Sequence, residues 1–177
     1  RARVAAELKD PQEEVLWGQV VLATRQDPNA RFHVARYAER MKRPDIAWQV
    51  YDQMTEDLVT AKLGYRELVR LAEASGETAK ILQVVQRASA AMPHDAVLKN
   101  DAAYLSLLLD KDIGQALKVA DELVRAEPRM MAYRTTLALA YLKHGRLEDA
   151  AALYKQLRFN PASFLPGWQA VYIATLN

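Results

Sequence analysis

Two pairs of arginines have the spacing best suited to binding chemistry in this chain. Arg36 and Arg40 are four residues apart, as are Arg66 and Arg70, so each pair shares one face if its segment is helical. A guanidinium presents a fixed fork of N–H donors that binds a carboxylate through two hydrogen bonds. The pairs therefore bind a carboxylate-bearing partner, face water, or pair internally. The acidic residues available for internal pairing are Glu39, Glu67 and Glu73.

Residues for catalysis or metal binding do not occur in a working arrangement. The sequence lacks the short motifs of P-loops, dinucleotide sites, nucleophile elbows and zinc proteases. Its three histidines, His33, His94 and His144, are far apart, and the absence of cysteine excludes thiolate catalysis and cysteine zinc sites. We predict that the protein is not an enzyme and has no cofactor and no metal.

Basic and acidic residues balance along the whole chain. There are 24 basic and 22 acidic residues, and residues 1–88 carry 14 basic and 13 acidic ones. A protein that neutralises many phosphates usually has a basic stripe or tail. We therefore predict no nucleic-acid partner, which disfavours a helical-repeat RNA binder.

Membrane and targeting segments are not evident. No run of 18 apolar residues occurs, and the first residues, RARVAAELKD, lack the apolar segment of a signal peptide. We expect a soluble segment without membrane insertion. Localisation stays open, since a chain without cysteine suits the cytoplasm and export alike. Because it begins with Arg1, we expect a fragment of a longer protein.

Turn-forming residues recur at a nearly constant interval. The centres of one series are 33, 33, 35 and 34 residues apart, at Asp10, Arg43, Gly76, Lys111 and Gly145. A second series lies between them and is marked by prolines, with one member missing near residues 59–61. Two interleaved series with one period indicate two structural elements in each repeat.

The segments between these turns have the pattern of amphipathic helices. Apolar residues recur at steps of three and four, as in Ile113, Leu117, Ala120 and Val124. The chain also has only 6 glycines, and its abundant Ala, Leu, Glu and Lys favour helix. The predicted class is all-α, with helices at 1–8, 11–25, 30–41, 45–57, 62–74, 77–91, 95–109, 113–126, 129–143, 147–158 and 164–176.

The repeat resembles the tetratricopeptide repeat (TPR). That pattern has an aromatic residue near position 4, small residues near 8 and 20, a turn glycine near 15 and a proline near 32. With units starting at residues 28, 62, 97, 131 and 165, the small and turn positions include Ala47, Ala116, Ala138, Gly145 and Ala150. Further matches are Tyr141, Pro128 and Trp168.

The resemblance implies a right-handed α-solenoid of about five antiparallel helical hairpins. We predict a single domain over residues 1–177, with hairpin units at 1–27, 28–61, 62–96, 97–130 and 131–161 and a terminal helix at 164–176. Some residues depart from the family pattern. Val69 and Tyr104 stand at small positions, Ile81 replaces alanine, and Arg31 and Arg134 occupy the aromatic position.

The resemblance also gives the arginine pairs a location. In this family their positions line the concave groove, which implies a patch that grips an acidic peptide. The corresponding positions of later repeats are apolar, namely Leu105, Leu109, Leu139 and Leu142. They would suit an amphipathic partner, although burial inside the stack explains the leucines as well.

Three functions follow as hypotheses. The first is a non-catalytic scaffold that binds a protein or peptide in the groove, and the second is a structural spacer or assembly segment of a larger protein. Trp168, Val171, Tyr172 and Leu176 make the last helix strongly apolar, so we expect either a continuing chain or end-to-end self-association through it. The third, an RNA binder, is disfavoured by charge.

Overall fold

The chain is helical throughout the part that the structure describes. The computed structural model describes residues 12–25, 27–155 and 160–176, and the helix predicted over 1–8 lies outside them. No strand occurs in these ranges, which confirms the all-α class. Their helices are α1 Glu13–Ala23, α2 Pro28–Arg40, α3 Pro44–Met54, α4 Ala61–Ser75, α5 Thr78–Ala91, α6 Ala96–Leu108, α7 Ile113–Ala126, α8 Met131–Lys143, α9 Leu147–Ala152 and α10 Pro166–Ala174, with a 3₁₀ turn at Pro161–Ser163.

Aspartates fix the start of two helices. The Asp27 carboxylate accepts the backbone N–H groups of Asn29 and Ala30 at 2.9 and 3.1 Å, and Pro28 occupies the first turn, where its missing N–H costs nothing. Asp95 caps α6 in the same way. Asp112 occupies the corresponding position before α7 but makes no such bond, because its backbone is left-handed.

The helices divide into two compact units. The first runs to Glu77 and contains α1–α4, and the second begins at Thr78 and contains α5–α10. The assignment of residues 1–177 to a single domain, with its unit boundaries, stays a prediction.

In the first unit, α2 packs on α3, and α3 packs on α4. Small residues allow both contacts: Ala35 and Ala47 are fully buried, and the α3–α4 contact centres on Gly64. A Cβ atom at Gly64 would lie 2.8 Å from the carbonyl oxygen of Tyr51. The backbones therefore approach too closely there for any larger residue.

In the second unit, each new hairpin packs on the one before it. Helix α8 contacts its neighbours α7 and α9 and also α6 and α10, the helices two places away. Ala116, Ala138 and Ala150 are 3%, 0% and 0% exposed within this core. This packing of alternate helices is the stacking that the repeat pattern predicts.

Three turns share one backbone conformation. Lys42, Asp110 and Gly145 are left-handed, with φ of 59°, 53° and 70°. In each case the next residue donates its N–H to a carbonyl five residues earlier, at 2.8 to 2.9 Å. This closure satisfies carbonyls at the end of the first helix of a hairpin.

Alignment on these turns corrects the expected register of one repeat. Seven residues before the left-handed residue lies a buried alanine in every case: Ala35, Ala103 and Ala138. The small position therefore belongs to Ala103 and not to Tyr104. The turn between α6 and α7 contains one residue more than the others, because Asp112 adds a second left-handed residue with φ of 47°.

The arginines at the aromatic position replace ring packing by hydrogen bonding. Arg31 is 5% exposed and donates to the Gln53 carbonyl at 3.3 Å and to the Asp57 carboxylate at 3.2 Å. Arg134 donates to the carbonyls of Pro128 and Leu153. Both guanidiniums thus reach the end of the second helix of their hairpin, where carbonyls lack helical partners and the helix dipole favours a cation.

Substitution of Ala150 by leucine should overpack the α8–α9 contact. We expect a loss of about 1 to 3 kcal/mol in the free energy of unfolding, because a fully buried Cβ leaves no space for added methylenes. Chemical denaturation followed by circular dichroism measures the effect. Ala152→Leu, on the exposed side of the same helix, is the matched control with an expected change within about 0.5 kcal/mol. Equal stability of the two variants would contradict the register.

Candidate functional site

The four arginines singled out by spacing lie on two helices of the first unit. Helix α2 carries Arg36 and Arg40, and α4 carries Arg66 and Arg70. An ion pair between Glu39 and Arg70 joins the two helices. We call the surface formed by Arg36, Arg40, Arg66 and Arg70 the arginine face.

Arg70 is the centre of an internal ion-pair network. Its Nη2 donates to both carboxylate oxygens of Glu39 at 2.7 Å, and its Nε donates to Glu67 Oε2 at 2.8 Å. The two carboxylates are 18% and 8% exposed. The Tyr51 hydroxyl, from α3, completes the site by donating to Glu39 Oε1 at 2.8 Å. Arg70 therefore bridges two carboxylates that have little contact with water.

The ionisation of this network follows from its contacts. Burial raises the pKa of Glu39, but the hydrogen bonds from Arg70 and Tyr51 outweigh it, so the pKa is lowered overall. Burial, and then the hydrogen bond to Glu39, raise the pKa of Tyr51. The hydrogen bond with Glu39 raises the pKa of Arg70. At neutral pH the carboxylate and the guanidinium are both charged.

The other three arginines are less constrained. Arg36 is 50% exposed and meets Glu39 at 3.4 Å, whereas Arg66 is 69% exposed and meets Glu67 at 3.1 Å. The Arg40 guanidinium lies 5.5 Å from the centroid of the Tyr37 ring. Three guanidiniums thus share two carboxylates, and the fourth lies over an aromatic ring, so the cations of the arginine face outnumber the carboxylates paired with them by two. Within the described ranges, no ion pair joins Glu73 to these arginines.

The leucines predicted for the groove lie in the second unit and differ in burial. Leu139 is 9% exposed and belongs to the core, and Leu142 packs against that core. Leu105 and Leu109 are half-buried. Burial in the stack, one of the two explanations open from sequence, describes Leu139, whereas the other three leucines keep part of their surface exposed.

The residues chosen as repeat positions lie in the cores, turns and helices described above. Ala47, Ala116, Ala138 and Ala150 are buried, and Gly145 is left-handed. Tyr141 is half-buried beneath the Arg146 guanidinium, 4.2 Å from its ring centroid. Pro128 lies exposed in the turn before α8, and Trp168 packs edge-on against Phe164 at 6.1 Å.

Sequence reasoning missed two contributors to these sites. Tyr51 is on α3, and the distance of 12 residues from Glu39 gives no helical signal that their side chains meet. In the second unit, Asn100 and Thr136 form a buried hydrogen bond of 2.8 Å between α6 and α8. Their separation of 36 residues is close to one repeat, which is the signal that could have linked them.

The described ranges contain neither a metal-ligand cluster nor a membrane-spanning helix. In the ranges that the structure describes, no group of three or more histidine and acidic side chains could hold a metal ion. Nor does any helix there have the length and apolar character needed to cross a membrane.

The same arrangement of helices occurs in a solved TPR protein. A TPR protein from Parabacteroides merdae superposes on this chain with a TM-score of 0.50 and 17% identity, covering 100% of this chain and 69% of its own. The fold is that of a TPR-like helical repeat protein. A thermophilic TPR protein from Thermus thermophilus is also similar, with a TM-score of 0.47, 22% identity and coverage of 98% and 96%. No protein-family model and no curated protein matches the sequence. The resemblance inferred from the turns is thus confirmed for the fold.

Proposed function

We propose that this TPR-like chain is a non-catalytic scaffold that binds an acidic segment of a partner protein on the arginine face. Helical repeat proteins generally present extended surfaces to protein partners. The observation that supports the proposal is that the four guanidiniums of the arginine face outnumber the two carboxylates, Glu39 and Glu67, that are paired with them.

The four arginines have different roles in this proposal. Arg70 already holds Glu39 and Glu67, so it organises the surface. Arg36 and Arg66 are half or more exposed and have donors to spare, and Arg40 pairs with a ring. These three would bind carboxylates of the partner in bidentate geometry.

Neutralising the three available arginines tests the proposal. We expect Arg36→Gln, Arg40→Gln and Arg66→Gln together to weaken binding of a fluorescent oligoglutamate peptide about tenfold, because exposed pairs contribute up to about 1 kcal/mol each. Fluorescence anisotropy at low salt measures the affinity. The matched control replaces Lys111, Lys118 and Arg129, exposed cations of the second unit, by glutamine. An equal loss of affinity in both variants would show that net charge alone causes the effect, and it would contradict the proposal.

An assembly role is the second candidate, and exposed apolar residues near the end of the chain favour it. Leu165, Ile173 and Leu176, in and beside α10, are 62%, 57% and 65% exposed. Water contact at such a patch is unfavourable, so a second copy packed against it would be stabilised. A sedimentation coefficient that rises with protein concentration would support end-to-end self-association, and a constant one would oppose it.

A further inference from the structure

Three donors converge on one oxygen of Glu39 beside the arginine face. Arg70 Nη2 and the Tyr51 hydroxyl donate to Glu39 Oε1 at 2.7 and 2.8 Å. Arg36 Nη1 reaches the same oxygen at 3.4 Å, longer than the roughly 2.7 to 3.2 Å of an ordinary N–H···O hydrogen bond. A carboxylate oxygen has about two lone-pair sites, so a third donor is held weakly. Arg36 is that third donor.

Packing between α2 and α3 holds the Tyr51 hydroxyl in place. Tyr51 is 0% exposed, and its ring centroid lies 6.3 Å from that of Phe32 on α2. Burial, and then the hydrogen bond to Glu39, raise the pKa of the hydroxyl, so it stays protonated and donates at neutral pH. The hydroxyl therefore fills one acceptor site of Glu39 from the interior of the unit.

The occupied acceptor sites of Glu39 determine how freely Arg36 binds a partner. We propose that Tyr51 is a positioning residue of the arginine face, because its hydroxyl occupies Glu39 Oε1 and leaves the Arg36 guanidinium available to a carboxylate of the partner. Without the hydroxyl, Arg70 would be the one close donor to that oxygen, and Arg36 would shorten its contact into a full ion pair. A guanidinium engaged in that way offers fewer donors to a ligand. This inference rests on the proposed function of the arginine face.

Arg40 provides the comparison within the same helix. Its guanidinium lies 5.5 Å from the centroid of the Tyr37 ring, and in the described part of the chain no hydrogen bond joins it to Glu39. A change at Glu39 Oε1 should therefore leave the donors of Arg40 as they are. An effect of Tyr51 that is transmitted through Glu39 must distinguish Arg36 from Arg40.

A double-mutant cycle on the full chain tests the inference. Affinity for the fluorescent oligoglutamate peptide is measured for the wild type, Arg36→Gln, Tyr51→Phe and the double variant. We expect Arg36→Gln to weaken binding about twofold, the share of one arginine in the tenfold loss expected for three. Tyr51→Phe should weaken it by about the same factor, and Arg36→Gln added to Tyr51→Phe should cause no further loss.

The matched control repeats the cycle with Arg40→Gln in place of Arg36→Gln. The losses from Tyr51→Phe and Arg40→Gln should multiply, because the two side chains share no hydrogen-bond acceptor. Tyr51→Phe keeps the buried ring and its contact with Phe32, so the variant should remain folded at the temperature of the assay. Circular dichroism checks this.

Nuclear magnetic resonance of the guanidinium groups adds a readout that a change in stability alone would not produce. Rotation about the Nε–Cζ bond of an arginine slows when its terminal N–H groups are held by a carboxylate. In Tyr51→Phe we expect this rotation to be slower for Arg36 than in the wild type, and unchanged for Arg40.

The outcomes separate the role of Tyr51 from the proposed function. If the wild type binds the peptide no better than the variant lacking Arg36, Arg40 and Arg66, the proposed function fails and this inference fails with it. If the wild type binds but the losses from Tyr51→Phe and Arg36→Gln multiply, or Arg36 rotates at an unchanged rate, the role of Tyr51 alone is overturned.

Discussion

Replacement of Arg70 by methionine is expected to lower the free energy of unfolding of the first unit by about 2 to 3 kcal/mol. The substitution keeps the aliphatic stem and removes the cation that holds Glu39 and Glu67, whose side chains are 18% and 8% exposed. Losing one partner of a buried ion pair costs about 3 to 5 kcal/mol. Because Arg70 itself is 41% exposed, we expect the lower part of that range or slightly less.

Urea denaturation followed by tryptophan fluorescence can measure this loss. A Trp168→Phe background leaves Trp17 and Trp48, both in the first unit, as the reporters. Arg66→Met is the matched control, since Arg66 is 69% exposed and its removal leaves Glu67 paired with Arg70. Its expected cost is below about 1 kcal/mol. Equal costs at the two positions would show that the network does not stabilise the unit.

The same variant has a defined pH dependence. The folded pKa of Glu39 is lowered, so its stabilising contribution is complete above the unfolded value of about 4.3 and is lost as pH falls through the folded value. Arg70→Met removes the main hydrogen bond that lowers this pKa. The gap in stability between wild type and variant should therefore be full at neutral pH and shrink below about pH 4. A gap that stays constant would exclude the ion pair as its cause.

Replacement of Gly64 by alanine is expected to destabilise the first unit by about 2 kcal/mol. Alanine favours a helix by about 1 kcal/mol over glycine, so propensity alone predicts the opposite sign. The added Cβ would lie 2.8 Å from the Tyr51 carbonyl oxygen and 3.1 Å from Met54 Cβ. The first of these atoms is backbone, so relief requires α3 and α4 to separate, at a cost of about 3 kcal/mol.

A second helical glycine of the same unit provides the control. A Cβ at Gly18 in α1 meets no atom within 4 Å, so Gly18→Ala should stabilise the unit by up to about 1 kcal/mol. Urea denaturation of both variants in the Trp168→Phe background gives the sign of each change in the free energy of unfolding. Stabilisation by Gly64→Ala would show that α3 and α4 do not make the close contact described.

The fold could be predicted because several of its turns contain residue types with strong backbone preferences. Gly145 lies in a left-handed turn and Pro28 in the first turn of a helix, which are conformations that these residue types favour. Lys42 and Asp110 adopt the left-handed conformation without being glycine, so their turns are predicted from neighbouring turn-forming residues such as Pro44 and Asp112 and from the spacing, not from their own residue type. For residues 12–176, apart from the undescribed positions, the helices followed from periodicity and turn residues, whereas the division into two units depends on contacts that no local pattern encodes.

The candidate site was predictable in part. Spacing found Arg66 and Arg70 on one helical face and named Glu39 and Glu67 as internal partners. Spacing did not show that Arg70 pairs with both Glu39 and Glu67. The pairing with Glu39 depends on the distance between α2 and α4, which the sequence does not give. The sequence also gave no sign that Leu58 and Val59 would be 99% and 87% exposed, because both rank with core residues on hydrophobicity scales.

The extra residue at Asp112 has a consequence for recognising such chains. The two small positions are 12 residues apart in the first and last aligned hairpins, but 13 apart between Ala103 and Ala116. A search pattern with a rigid count penalises this hairpin although its alanines are buried like the others. A pattern anchored at the left-handed residue, with a variable gap after it, would recognise divergent repeats whose length changes are confined to the bend.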